Sequence, residues 1–110
     1  MMRVPISPAA AALYRSLVER SGVPRDQVLL SSIRSVDWQS LTLSGERHEV
    51  QIRLVGDDAN AAAERLCEGL ADAEFSLSGL IVADICVVRS PRPAADGSIE
   101  VGIEALTIEE

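Results

Sequence analysis

The chain has 110 residues, 47% of them hydrophobic and 25% charged, which is ordinary for one globular domain. Seventeen acidic residues stand against ten arginines, and the formal net charge of −7 disfavours nucleic acid and anionic membranes as partners. No lysine is present, which excludes Schiff-base chemistry, a lysine general base and a Walker-type phosphate site.

The cysteines and the first residues of the chain indicate its cellular compartment. Cys67 and Cys86 lack the close paired spacing of a metal site, so we expect two apolar thiols, no metal, no other cofactor and a reducing cytoplasm. No apolar run approaches the roughly 18 residues that span a bilayer. The apolar start of the chain shares features with a signal peptide, but Pro5 and Pro8 interrupt it, and we expect no secretion signal.

The first predicted element is a helix over residues 8–21. Ser7-Pro8 is a typical start, because serine caps free amides and proline suits the first helical position. Apolar residues recur at helical spacing and place Arg20 on the solvent side. Ser21-Gly22 predicts the end of the helix.

Extended structure follows from residue 27. The apolar alternation changes phase between Trp38 and Leu41, which predicts a bulge near Ser40. Residues 44–47 then predict a turn. The return strand alternates cleanly, with the inward positions His48, Val50, Ile52 and Leu54.

A second helix is predicted over residues 57–73. Asp57 and Asp58 carry carboxylates that suit the first turn as caps, and alanines form most of the inward face. Arg65 is expected to point to water. The alanine-rich face predicts a close approach to the sheet.

The last predicted elements form a second hairpin. Residues 81–88 are almost continuously apolar and predict a strand covered on both faces, and residues 90–97 predict a loop. The return strand, residues 99–108, places Ile99, Val101 and Ile103 inward, with Glu100 and Glu104 outward.

The elements together predict a single α+β domain over residues 1–110. The arrangement is helix-hairpin-helix-hairpin (αββαββ), with a four-stranded antiparallel sheet and two helices on one face. Because two helices supply only one covering layer, a strand covered on both faces predicts self-association as a homodimer. The expected apolar outer surface consists of Val82, Cys86, Val88, Leu106 and Ile108.

Two pairs of outward residues are candidate binding sites. If Val87 pairs with Val101, Asp84 faces Glu104, and two facing carboxylates provide an acid and a base or a site for a hard cation. The alternative is a charged sheet face that lines solvent or a dimer. If the first hairpin closes around Gly45-Glu46, Trp38 faces Arg53, either as an internal cation–π pair or as a partner-binding hot spot.

His48, the single histidine, is the remaining candidate. We expect it to be structural, partly buried and bonded to the backbone, because its neighbours Arg47 and Glu49 alternate to the opposite face. A catalytic role needs a partner from elsewhere, and Asp37 shares its inward phase.

The leading hypothesis for function is therefore a small non-catalytic binding or assembly module that acts through a sheet face as a homodimer. A protein partner is also possible. The second hypothesis is a small hydrolase or isomerase that uses His48 with carboxylates. The third is a metabolite-binding regulatory domain with its site at a dimer seam.

Overall fold

The computed structural model describes residues 6–110; the first part of the apolar chain start lies outside this range. Within it, two short 3-10 helices, Arg25–Gln27 and Leu70–Asp72, accompany the main elements. These are α1 (Pro8–Ser21), β1 (Val28–Gln39), β2 (Ser44–Leu54), α2 (Ala59–Cys67), β3 (Leu80–Pro93) and β4 (Ile99–Glu109). In this part of the chain, no helix has the length and apolar character needed to cross a membrane.

The four strands form one antiparallel sheet in the order β1-β2-β4-β3, so the predicted α+β class with a four-stranded antiparallel sheet is confirmed. The core cluster contains residues of both helices, such as Leu17 and Leu66, and alternate residues of the strands. The predicted inward residues of β2 and β4 belong to it, apart from His48: Val50, Ile52, Leu54, Ile99, Val101 and Ile103.

The helix α1 has the predicted bounds, and the Ser7 side chain accepts a hydrogen bond from the Ala10 amide at 3.0 Å. Arg65 is exposed as predicted and Arg20 is partly buried, but neither guanidinium is bonded to water alone. Arg20 donates to the carbonyls of Leu66 and Glu68, and Arg65 donates to the Ser21 carbonyl at 2.7 Å. Each helix thus satisfies carbonyls at the C-terminal end of the other, which helix ends require.

The helix α2 is shorter than predicted. It ends at Cys67, because Gly69 takes the left-handed conformation (φ 67°) and a 3-10 turn follows. Asp58 occupies the N-cap position, but its side chain makes no capping hydrogen bond. The two aspartates therefore do not cap this helix as predicted.

The first hairpin turns four residues earlier than predicted. Ser40 donates its amide to the Leu43 carbonyl at 2.9 Å, so residues 40–43 form the turn and Leu41 is fully exposed. The bulge expected near Ser40 lies instead between Leu30 and Ser32. The prediction failed because Leu41 and Leu43 of the turn continue the apolar alternation of a strand. Gly45, which is typical of a turn, lies within β2.

The second hairpin also differs from its prediction. β3 is an edge strand that continues to Pro93, and its pairing with β4 shifts register at three places. Val82 therefore packs against the core and does not join the outer surface. Val88 lies at one of the register shifts, half exposed.

Candidate functional site: the outer face of the sheet

The sheet has two distinct faces. Side chains on the inner face join the core cluster, and the other face, here called the outer face, is formed by the alternate residues. The strand register defines rows of residues that lie side by side across the four strands. One end row consists of Trp38, Gly45, Ile108 and Ile81, and the next of Val36, Arg47, Leu106 and Asp84.

These two rows contain an apolar corner, defined here as Val36, Trp38, Ile81, Leu106 and Ile108. Val36 is 46% exposed and Ile81 is 52% exposed. Between them, Leu106 and Ile108 are only 9% and 6% exposed, although they lie on the outer face. The corner is therefore buried at its centre and open at its rim.

Within the apolar corner, β2 and β4 lie so close together at Gly45 that no side chain fits there. A β-carbon at Gly45 would collide with the Thr107 carbonyl oxygen and would lie 3.1 Å from the Ile108 α-carbon. The absence of a side chain therefore lets β2 approach β4 between Trp38 and Ile108.

Ion pairs lie beside the apolar corner and at the opposite end of the outer face. Arg47 contacts Glu104 at 3.1 Å, and Arg53 contacts Glu100 at 2.6 Å. The hydrogen bond from Arg53 to Glu100 raises the pKa of the guanidinium, and Asp96 at 3.3 Å acts in the same direction. These side chains are about one-third to three-fifths exposed, and such pairs fix side-chain positions more than they stabilise the fold.

The outer face is close to electrically neutral, unlike the chain. Its charged residues are five arginines and four carboxylates: Arg34, Arg47, Arg53, Arg89, Arg92, Glu49, Asp84, Glu100 and Glu104. Because the whole chain has a net charge of −7, its acidic excess lies elsewhere. Two such faces can therefore approach without the repulsion expected between two acidic molecules.

The structure separates Trp38 from Arg53. Trp38 lies opposite Gly45 at one end of the outer face, and Arg53 lies opposite Leu29 at the other end. The predicted pair required a hairpin centred on Gly45-Glu46, and the earlier turn moves Trp38 away from it. Trp38 joins the apolar corner and Arg53 joins the ion pairs.

Asp84 and Glu104 both lie on the outer face, but they do not face each other. Asp84 pairs with Leu106, and Glu104 pairs with Cys86. Val87 pairs with Ile103 and not with Val101, because the bulges in β3 change the register. Glu104 bonds to Arg47, so the arrangement is a charged sheet face and not a carboxylate pair.

His48 is fully buried on the inner face and its ring bridges two hydroxyl groups. Nδ1 lies 2.7 Å from Ser35 Oγ, and Nε2 lies 2.9 Å from Thr107 Oγ1. The bonds therefore go to side chains and not to the backbone as expected. A neutral imidazole satisfies both contacts, since one ring nitrogen donates and the other accepts. Burial lowers the pKa of His48, and the nearby Glu46 partly opposes this effect.

An open cleft of about 710 Å³ lies at the end of the sheet beside the apolar corner. The start of α1, the end of β1, the start of β2 and the start of β3 line it, and Asp37, Glu46, Glu109 and Glu110 contribute carboxylates. His48 is not among its lining residues. Over residues 6–110, no group of three histidine, cysteine or acidic residues is arranged to hold a metal ion.

Val36 and Ile81 were not singled out from the sequence as outer-face residues around Trp38, and Arg47 was placed on that face but not beside Trp38. Placing the hairpin turn at residues 40–43 would have predicted that Val36 lies beside Arg47 and that Trp38 lies beside Gly45. Comparisons with protein-family models, with curated proteins and with solved structures give no significant match.

Proposed function

We propose that this chain is a non-catalytic assembly module that acts as a homodimer through the outer face of its sheet. In this proposal the chain forms one αββαββ domain, both helices cover the inner face, and a second copy covers the apolar corner. A cytoplasmic location is part of the proposal, and the two free thiols, Cys67 and Cys86, support it.

The observation that carries the proposal is the exposed rim of the apolar corner on a neutral face. Val36 and Ile81 are each about half exposed around a buried centre, which favours contact with another apolar surface. A second copy provides the same corner, and the near balance of charges on this face permits it to approach. The corner is small, so we expect association in the micromolar range.

The arrangement around His48 favours this function over the hydrolase or isomerase. A general base must reach the proton that it abstracts, and both nitrogens of the buried ring are already bonded to hydroxyls. Asp37 lies one row further along β1, paired with Glu46. His48 therefore acts as a buried polar bridge between Ser35 of β1 and Thr107 of β4.

A metabolite site at a dimer seam is less well supported. The cleft beside the corner is open, and its lining includes four carboxylates. Binding sites for small molecules are mostly enclosed and apolar with a few polar groups.

Sedimentation equilibrium of Ile81→Asp tests the proposal, with Leu41→Asp as the matched control. Both variants replace an exposed aliphatic residue with the same charge, but Leu41 lies in the hairpin turn, outside the outer face. At about 100 μM we expect the wild type and Leu41→Asp to share one mass above that of the monomer, and Ile81→Asp to have a lower mass. An assembled Ile81→Asp with the wild-type mass would contradict the proposal.

A further inference from the structure

The two edge strands of the sheet differ in their protection against pairing with another strand. β3 contains Pro91 and Pro93 and has three register shifts, and both features obstruct pairing at an edge. β1 runs for 12 residues without proline and has one register shift, beside Ser31. A long, regular edge is a template for another strand, so β1 is the edge suited to accept one.

The pairing of β1 with β2 determines which backbone groups point away from the sheet. Ser40 N bonds to Leu43 O at the turn, and hydrogen-bonded pairs alternate along an antiparallel ladder. Arg34, Val36 and Trp38 therefore direct their backbone groups towards β2. The residues between them direct theirs to the open edge: Ile33, Ser35, Asp37 and Gln39.

We propose that β1 pairs in antiparallel orientation with β1 of a second copy, about a two-fold axis at Val36. In this register Val36 meets its own counterpart, Arg34 lies opposite Trp38 of the second copy, and Ser35 lies opposite Asp37. A guanidinium beside an indole is favourable, and so is a hydroxyl donor beside a carboxylate. The outward backbone groups of the two strands form roughly eight hydrogen bonds.

Neighbouring registers are less favourable for identifiable reasons. An axis at Arg34 places two guanidiniums opposite each other, and an axis at Asp37 places two carboxylates together. An axis at Ser35 places Ile33 opposite Asp37. Odd shifts of the pairing place inner-face residues opposite outer-face residues, which would put the helices of the two copies on opposite sides of the sheet.

The edge is separate from the outer face, so this inference does not depend on the proposed function. Edge pairing gives an eight-stranded sheet whose two apolar corners are adjacent, because Val36 and Trp38 lie on β1. If two such sheets also meet through their outer faces, the assembly is a tetramer with two kinds of two-fold interface.

Cysteine cross-linking tests the register directly. In a Cys67→Ala, Cys86→Ser background, Val36→Cys places two thiols at the axis, in a close non-hydrogen-bonded pair that can form a disulfide. We expect a covalent dimer on mild oxidation. Arg34→Cys and Asp37→Cys serve as register controls, because in this register residue 34 lies opposite residue 38 and residue 37 opposite residue 35, so like thiols do not face each other and we expect little product.

Sedimentation of the otherwise unmodified chain separates the edge from the outer face. Asp37→Pro removes one outward N–H and no bond to β2, so the fold remains and edge pairing weakens. We expect the wild-type mass to be four times that of the chain, and Asp37→Pro and Ile81→Asp each to give half of it. The double variant is expected to be monomeric.

The outcomes distinguish this inference from the proposed function. Loss of mass in Ile81→Asp alone, without cross-linking at Val36→Cys, overturns edge pairing and leaves outer-face assembly supported. Loss in Asp37→Pro alone, with cross-linking at residue 36, supports edge pairing and contradicts outer-face assembly. Stronger cross-linking at Arg34→Cys or Asp37→Cys than at Val36→Cys overturns the proposed register, whatever the mass.

Discussion

Protonation of His48 is expected to destabilise the folded chain as the pH falls. The ring has no exposed surface, and burial holds its pKa below the ordinary value of 6.5. The unfolded chain therefore takes up this proton at a higher pH than the folded chain does. The stability associated with neutral His48 is complete above pH 6.5 and decreases as the pH falls below it.

The magnitude follows from the size of one proton linkage. One proton bound only by the unfolded chain lowers the free energy of unfolding by at most about 1.4 kcal/mol per pH unit, so this is the upper bound on the loss for each pH unit below 6.5. His48 is the single histidine of the chain, so no second imidazole contributes to this pH dependence. The bridge from Ser35 to Thr107 thus makes a measurable contribution in a narrow pH window.

Urea denaturation, followed by the fluorescence of Trp38 and by circular dichroism, measures this effect. The control is His48→Gln, which keeps a polar group in the site but cannot titrate, at the same chain concentration. We expect the difference between wild type and variant to depend on pH between 7.5 and 5.5. Parallel pH profiles for the two proteins would refute the reasoning.

Three further outcomes follow from the structure. Gly45→Ala is expected to lower the free energy of unfolding by about 1–3 kcal/mol, measured by urea denaturation, because its methyl group meets a β4 carbonyl. Arg20→Ala and Arg65→Ala are each expected to cost about 1–2 kcal/mol through lost bonds to helix-end carbonyls, whereas Arg15→Ala costs less than about 0.5 kcal/mol in the same assay. His48→Gln is expected to leave self-association unchanged in sedimentation, since this side chain does not reach the surface.

Features encoded by local periodicity could be predicted from the sequence. The helix over residues 8–21 has its own start and stop residues, and both bounds are correct. The inward alternation of β2 and of the first half of β4 also follows from the sequence, because polar and apolar residues alternate there without interruption.

Strand register could not be predicted, and the candidate pairs failed with it. The bulge at Ser31 and the shifts in β3 insert residues whose positions depend on the partner strand, and one inserted residue reverses the faces. Asp84 was assigned the wrong neighbour because of the shifts in β3, and Trp38 because the first hairpin turns four residues earlier than predicted.

Long-range polar contacts were also beyond local reasoning. Thr107 is 59 residues from His48, and Arg65 is 44 residues from the carbonyl of Ser21 that it binds. A single strand or helix pattern contains no information about such contacts, because the fold brings these groups together. The bridge at His48 and the reciprocal arginine contacts became visible only in the structure.

The mass of the full chain in solution tests the central claim most directly. Sedimentation equilibrium at about 100 μM detects even weak self-association. Self-association through the sheet predicts a mass at least twice that of the 11.8-kDa chain. A monomer whose mass does not change with concentration would contradict it.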